Sequence, residues 1–194
     1  EVAQFLDQVE SGEDLSKKEK LYHEKNQVRD LAMMQLMLGT GIRVSECVGL
    51  NCSDVDFQNN AIRIHRKGGK EVSIYFSDEV EQGLRAYMEE RKSKIPAAGH
   101  ENALFLSLQN KRMSVRTVEL MVKKYAQKVT PLKHITPHKL RSSYGTNLYQ
   151  ETGDIYLVAD VLGHSDVNTT KKHYAALEEE RLRSVRNLVR LRKE

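Results

Sequence analysis

Apolar residues at helical spacing open the chain, with Val2, Phe5 and Leu6 on one side. Residues 10–25 are polar and rich in charge, and they read as a loop with at most a short helical piece. A strongly apolar helix is predicted over 26–38, stopped by Gly39 and Gly41, and a short helical pattern follows over 44–50. The period then changes. Ile62 and Ile64, then Val72, Ile74 and Phe76, alternate with polar neighbours around Lys67-Gly68-Gly69-Lys70, which predicts a β-hairpin over 61–76.

Helical spacing returns with Val80, Leu84, Tyr87 and Met88, where Asp78 is the expected cap. Leu104-Phe105-Leu106 reads as a third strand, and further helices are predicted over 114–129, 137–151, 155–162 and, more briefly, 169–174. Tyr75, Tyr87 and Tyr125 fall at apolar spacing and are expected in the core, as are Met33, Met34 and Met37. From 177 to 194 a tail helix sets Leu182, Val185 and Val189 on one face, with Arg181, Arg183, Arg186, Arg190, Arg192 and Lys193 around it. The predicted fold class is mainly α with a small antiparallel three-stranded β-sheet (α+β). One domain is expected over 1–175, followed by the tail helix over 176–194.

Composition narrows this picture. With 3 prolines and 11 glycines in 194 residues, no low-complexity tract is present. Cys47 and Cys52 have no partners at disulfide-framework or zinc spacing, so a reducing, cytoplasmic setting is expected. No apolar run reaches the roughly 18 residues of a membrane span, and no secretory signal pattern opens the chain, so no membrane partner is expected. The 31 Lys and Arg against 27 Asp and Glu give a net charge of +4, which permits a nucleic-acid partner without requiring one. A chain that begins at Glu1 directly in a helical pattern reads as a piece of a longer protein.

Several chemistries lack their motifs: there is no Walker loop, no dinucleotide fingerprint and no His-Glu-x-x-His helix. Asp54 and Asp56 are the one close aspartate pair near an element end, and a turn or cap role suits them better than a two-metal nuclease. Cations and imidazoles stand at element junctions instead. Arg43 follows Gly39-Thr40-Gly41, Lys67 tips the hairpin, and His138 and Arg141 share one helix face after Pro137. His164 follows Gly163, and Tyr174 lies ten residues further on. Brought to one point, such groups would hold a phosphodiester. Guanidinium forks grip its oxygens and stabilise a pentacoordinate transition state without a metal, and a tyrosine held near them can serve as nucleophile.

These residues also resemble a known family. Thr40-Gly41-Ile42-Arg43-Val44-Ser45-Glu46, Lys67 in Lys-Gly-Gly-Lys, Thr136-Pro137-His138-Lys139-Leu140-Arg141, Leu162-Gly163-His164-Ser165-Asp166, and Tyr174 after Thr169-Thr170 are similar to the catalytic domain of tyrosine recombinases, the phage and transposon integrases. The resemblance implies that fold and a site-specific DNA recombinase activity. It implies that Arg43 and Arg141 clamp the scissile phosphate, that Lys67 protonates the departing 5′-oxygen, that His138 assists proton transfer from Tyr174, and that His164 hydrogen-bonds the phosphate. Tyr174 would attack phosphorus to give a 3′-phosphotyrosyl intermediate, while Glu46 would orient site residues without reacting. No cofactor and no metal is implied.

The implied partners are double-stranded DNA, further recombinase protomers as a tetramer on DNA, and accessory proteins that set direction. The resemblance also implies N-terminal DNA-binding domains outside this chain and a tail helix exchanged between protomers. Packing of that helix on its own domain is the alternative. Lys111, Arg112, Arg116, Lys123, Lys124, Lys128, Lys133, Lys139, Lys171 and Lys172 are candidate contacts to the DNA backbone. A type IB topoisomerase and a non-catalytic DNA-binding module are the two rival readings.

Overall fold

The computed structural model describes residues 1–66 and 68–184, and the chain divides into two units, Glu1–Arg141 and one that begins at Ser142. In the first, α1 (Val2–Ser11) is followed by α2 (Lys17–Thr40), so most of the stretch expected as a loop over 10–25 is helical. The reason is a capping box. Ser16 Oγ accepts the Glu19 backbone N–H at 3.3 Å, and the Glu19 carboxylate accepts the Ser16 N–H at 2.8 Å, which satisfies two of the backbone donors that a helix start leaves open. Beyond it, charged residues occupy the exposed face of the first turns, and the apolar residues that pack on the core come later, at Val28 and Leu31 and then from Ala32 onward.

Gly39 does not stop α2. Its missing side chain lets a neighbouring helix approach, since a Cβ there would sit 2.7 Å from Val80 Cγ2. Termination comes at Gly41, whose φ of 66° is left-handed and whose N–H bonds to the Met37 carbonyl at 3.0 Å. A short helix, α3 (Val44–Gly49), and a single 3-10 turn (Cys52–Asp54) lead into the sheet.

The sheet has three antiparallel strands in the order β1 (Val55–Asp56), β2 (Ala61–His65), β3 (Glu71–Tyr75). The hairpin stands where the alternation predicts it, with Ile62 opposite Ile74 and Ile64 opposite Val72. The third strand is not Leu104-Phe105-Leu106: it is β1, and Ala103 and Leu106 form only isolated bridges, to Asn51 and Arg112. Those three apolar residues are buried as core. Asp54 and Asp56 act as turn residues, Asp54 accepting the Asn51 N–H at 2.8 Å and Asp56 the Gln58 N–H at 2.9 Å.

Helix α4 (Asp78–Arg91) is capped by Ser77, whose hydroxyl accepts the Val80 N–H, so Asp78 is the first helical residue and not the cap. Helix α5 (Val115–Val129) buries Val118, Val122 and Tyr125. Met33, Met34, Met37, Tyr87 and Tyr125 lie in the core as expected, whereas Tyr75 points outward and is 70% exposed. Its neighbours Ile74 and Phe76 take the buried positions, one on each side of it in the chain. A charged cluster sits inside this core. Arg29 donates to Asp30 at 2.7 Å and to the Leu106 carbonyl at 2.9 Å, and the Tyr125 hydroxyl donates to Asp30 at 2.8 Å, so each buried polar group of the set has a partner. Burial and the Asp30 charge push the Tyr125 phenol far up.

Helix α6 (Pro137–Thr152) begins in the first unit and ends in the second. The second unit continues with α7 (Ile155–Leu162) and α8 (Val167–Ser184), packed around Tyr149, Ile155, Val158, Leu162 and Tyr174. The short helix expected over 169–174 is part of α8, which runs on into the tail. Residues 185–194, with Val185 and Val189, lie outside the described residues. Among the described residues the chain is thus mainly helical with one small antiparallel sheet. Among the described residues no helix is long and apolar enough to cross a membrane.

Candidate active site

Gly41 turns the chain out of α2, and Arg43, in extended conformation, caps the start of α3. Glu46 fixes it twice. One carboxylate oxygen accepts the Arg43 backbone N–H at 2.8 Å and the other accepts Arg43 Nη1 at 2.9 Å. The Glu46 side chain is 8% exposed and that of Arg43 is 42% exposed, so the guanidinium is anchored from below and reaches solvent above. Bonds between ionised groups of this kind are shorter and stronger than neutral ones.

Arg141, in the second turn of α6, is buried, and its Nη1 donates to the carbonyl oxygen of Gly41. The two arginines thus meet on one turn, one held by its carbonyl and the other leaving it two residues later. His138, three residues before Arg141, is exposed in the first turn of α6. That turn starts with Pro137 at the first helical position and with Thr136 Oγ1 accepting the Lys139 N–H at 3.3 Å. Lys67 lies outside the described residues. Its neighbours define the loop: Arg66 N–H bonds to the Lys70 carbonyl at 2.9 Å, and Gly68 and Gly69 take φ of 82° and 73°, values that side chains other than glycine rarely adopt.

In the second unit, Gly163 ends α7 in a left-handed conformation, and His164 follows with its N–H on the Ala159 carbonyl at 2.9 Å. Its Nδ1 is 2.6 Å from Thr170 Oγ1, and Thr170 is wholly buried on α8. Tyr174 lies one turn beyond Thr170 on the same helix, hence on the same face. It is 3% exposed, its ring 5.8 Å from that of Tyr149 and edge-on to His173 at 4.8 Å. Its hydroxyl lies against Gly145, where an added Cβ would collide with it. His173 is exposed, as the 100° turn between adjacent helical residues predicts.

The structure therefore brings Arg43, Glu46 and Arg141 together in the first unit, and His164, Thr170 and Tyr174 together in the second. Sequence reasoning assigns no site role to Arg66, Thr170 or Gly145. Thr170 had a signal, its spacing of four from Tyr174; Arg66 and Gly145 show themselves only through what they touch. Among the described residues no group of three His, Cys, Asp or Glu could hold a metal ion. Of the candidate backbone cations, Arg112 is used internally, on the Val48 and Leu50 carbonyls at 3.0 and 2.8 Å and on Asn51. Lys124 covers the Tyr125 ring at 4.0 Å, and its burial lowers its pKa.

Residues 5–181 match the model of the phage integrase family. The tyrosine recombinase XerC of Actinobacillus pleuropneumoniae serotype 7 (strain AP76) is 36% identical over 149 residues, which make up 77% of this chain and 48% of that protein. Among solved structures, the XerH site-specific recombinase bound to palindromic difH substrate, in its post-cleavage complex, superposes with a TM-score of 0.77 at 23% identity, covering 95% of this chain and 50% of that one. The Tn1549 transposon integrase in complex with circular intermediate DNA gives 0.73 at 24% identity, covering 97% and 62%. At these identities the two structures speak to the fold. The chain spans about half the length of the curated relatives it matches. The motifs in their order, the fold that carries them and a family match over most of the chain agree: the chain belongs to the phage integrase family.

Proposed function

We propose that this chain is the catalytic part of a site-specific DNA recombinase that cleaves and rejoins strands through a 3′-phosphotyrosyl ester. The observation that carries the reading is the pair of arginines on one turn, Arg43 held by Glu46 and Arg141 held by Gly41. Two fixed guanidinium groups present to a phosphodiester the donors that its charge build-up requires, without reorganisation when the reaction occurs.

In the proposed reaction the Tyr174 oxygen attacks phosphorus while the bond to the 5′-oxygen breaks. The phenol proton leaves with help from His138, and Lys67 delivers a proton to the departing oxygen, so a free 5′-hydroxyl forms. Arg43, Arg141 and His164 hold the phosphate oxygens throughout, and Glu46 keeps Arg43 in place. Thr170, bonded to His164 Nδ1, fixes that ring so that its other nitrogen serves the phosphate. The ester conserves the energy of the broken bond, and the 5′-hydroxyl of another strand reverses the attack. Because Tyr174 is packed against Gly145 and Tyr149 here, it leaves that cluster to reach a phosphate.

The proposed catalytic domain spans 1–175, with residues 176–194 as a tail helix exchanged between protomers and DNA-binding domains in further sequence N-terminal to it. Its partners are duplex DNA in the cytoplasm, three further protomers on that DNA, and accessory proteins that set direction. The match to the phage integrase family supports a role in integrating or excising a mobile element or phage.

A supercoiled plasmid carrying two copies of a site selected by this chain from a randomised duplex pool tests the reading. Recombinant circles are the expected product. Relaxation without site preference and without recombinants would contradict it and support a type IB topoisomerase.

A further inference from the structure

Arg66 stands where neither motif nor spacing draws notice, directly before Lys67. It is held at both ends. Its backbone N–H closes the loop 67–69 on the Lys70 carbonyl at 2.9 Å, and its side chain, 14% exposed, donates from Nε to Glu46 Oε1 at 3.3 Å. That same oxygen accepts Arg43 Nη1 at 2.9 Å, and the Glu46 side chain is 8% exposed. One buried carboxylate therefore joins the arginine at the start of α3 to Arg66, the residue that follows β2 and lies 20 residues beyond Glu46.

Gly68 and Gly69, at φ of 82° and 73°, carry no side chains that could brace the turn against its surroundings. In the proposed reaction the lysine at position 67 has to reach the leaving oxygen, and a displacement of about 1 Å at a reacting group can cost roughly a hundredfold in rate. The Arg66–Glu46 pair is the kind of contact that sets a strand end. It is charged on both sides and largely shielded from water, so it is far less screened than an ion pair on the surface.

We propose that Arg66 is a positioning residue, which through Glu46 locks the hairpin tip in register with Arg43 so that the lysine at position 67 meets the leaving 5′-oxygen. The proposal rests on the proposed recombinase reading and adds a residue to it. Arg66 does not touch the phosphate and does not transfer a proton. Losing it should slow leaving-group protonation specifically, while the grip of Arg43 and Arg141 persists.

The test compares cleavage of a selected, nicked duplex with that of the same duplex carrying sulphur in place of the scissile 5′-oxygen. A thiolate leaves without protonation, so a defect in delivering the proton is repaired by sulphur, whereas a defect in folding or phosphate binding is not. Single-turnover rates of wild type, Arg66→Ala, Arg66→Lys and Lys67→Ala are measured on both substrates, with melting temperatures to confirm folding. Arg66→Ala is expected to lose roughly 10- to 100-fold on the oxygen substrate and to recover to within a few-fold of wild type on sulphur, in parallel with Lys67→Ala. Arg66→Lys, which keeps a cation near Glu46, is expected to fall between. Recovery of Lys67→Ala without recovery of either Arg66 variant overturns the positioning role and leaves the reaction intact. Failure of Lys67→Ala to recover overturns the assignment of the general acid and the proposal with it.

Discussion

Arg141 Nη1 donates to the carbonyl oxygen of Gly41, two residues before Arg43. A guanidinium on α6 is thereby tied to the turn from which the other arginine leaves, although 100 residues separate the bonded pair in sequence. Gly41 serves this bond in two ways: its φ of 66° reverses the chain, and its carbonyl is the acceptor. Arg141→Lys keeps the charge and loses the fork. It should retain DNA binding within a few-fold and lose roughly 10²- to 10³-fold in cleavage rate, as the removal of one transition-state donor does elsewhere. A gel-shift titration beside a single-turnover cleavage assay separates the two effects.

Gly145 offers a second test. A Cβ at this position collides with the Tyr174 hydroxyl and lies 3.1 Å from Leu162 Cδ1, so alanine would push the tyrosine out of the Tyr149 cluster. Gly145→Ala is expected to lower the melting temperature by a few degrees through lost packing, corresponding to about 1–3 kcal/mol. It should also raise the accessibility of Tyr174, read as faster modification by a phenol-directed reagent with the modified residue located by peptide mapping. An unchanged modification rate at Tyr174 would show that Gly145 does not control its burial.

The hairpin and the apolar half of α2 were legible in the sequence because each buries one face of a regular period, as with Ile62 and Ile64 or Met33 and Met37. The first turns of α2 were not, because their residues are charged and only the Ser16 and Glu19 pair marks the start. The third strand is misread for a related reason: Leu104-Phe105-Leu106 is apolar because it is core, while the true strand, Val55–Asp56, is too short to show an alternation. Motif order gave the residues of the candidate site, but not their fastening. The Glu46 bond to Arg66 and the packing of Tyr174 on Gly145 depend on contacts that no local pattern encodes.

The capping box at the start of α2 yields a stability prediction. Ser16→Ala should cost about 1 kcal/mol. The hydrogen bonds from the Ser16 backbone and side chain hold the Glu19 carboxyl below its usual range. A carboxyl with a lowered folded pKa stabilises the fold fully above its unfolded value of about 4.3, and that contribution is lost as the pH falls through the lowered value. Glu19→Gln should therefore melt below wild type at pH 7, with the gap closing in strong acid. A gap that stays constant from neutral pH into acid would contradict this account of the box.

The central claim is that Tyr174 becomes joined to a DNA 3′-phosphate, and it is tested most directly by trapping that ester. The chain is incubated with a duplex bearing its selected site and nicked just beyond the cut, so that the short fragment carrying the new 5′-hydroxyl diffuses away and the reaction cannot reverse. The product is then digested with protease and nuclease and sequenced by mass spectrometry. A nucleotide 3′-phosphate on the peptide containing Tyr174, absent in Tyr174→Phe while DNA binding persists, is the predicted result. An adduct mapped to another residue, or one that survives Tyr174→Phe, would contradict it.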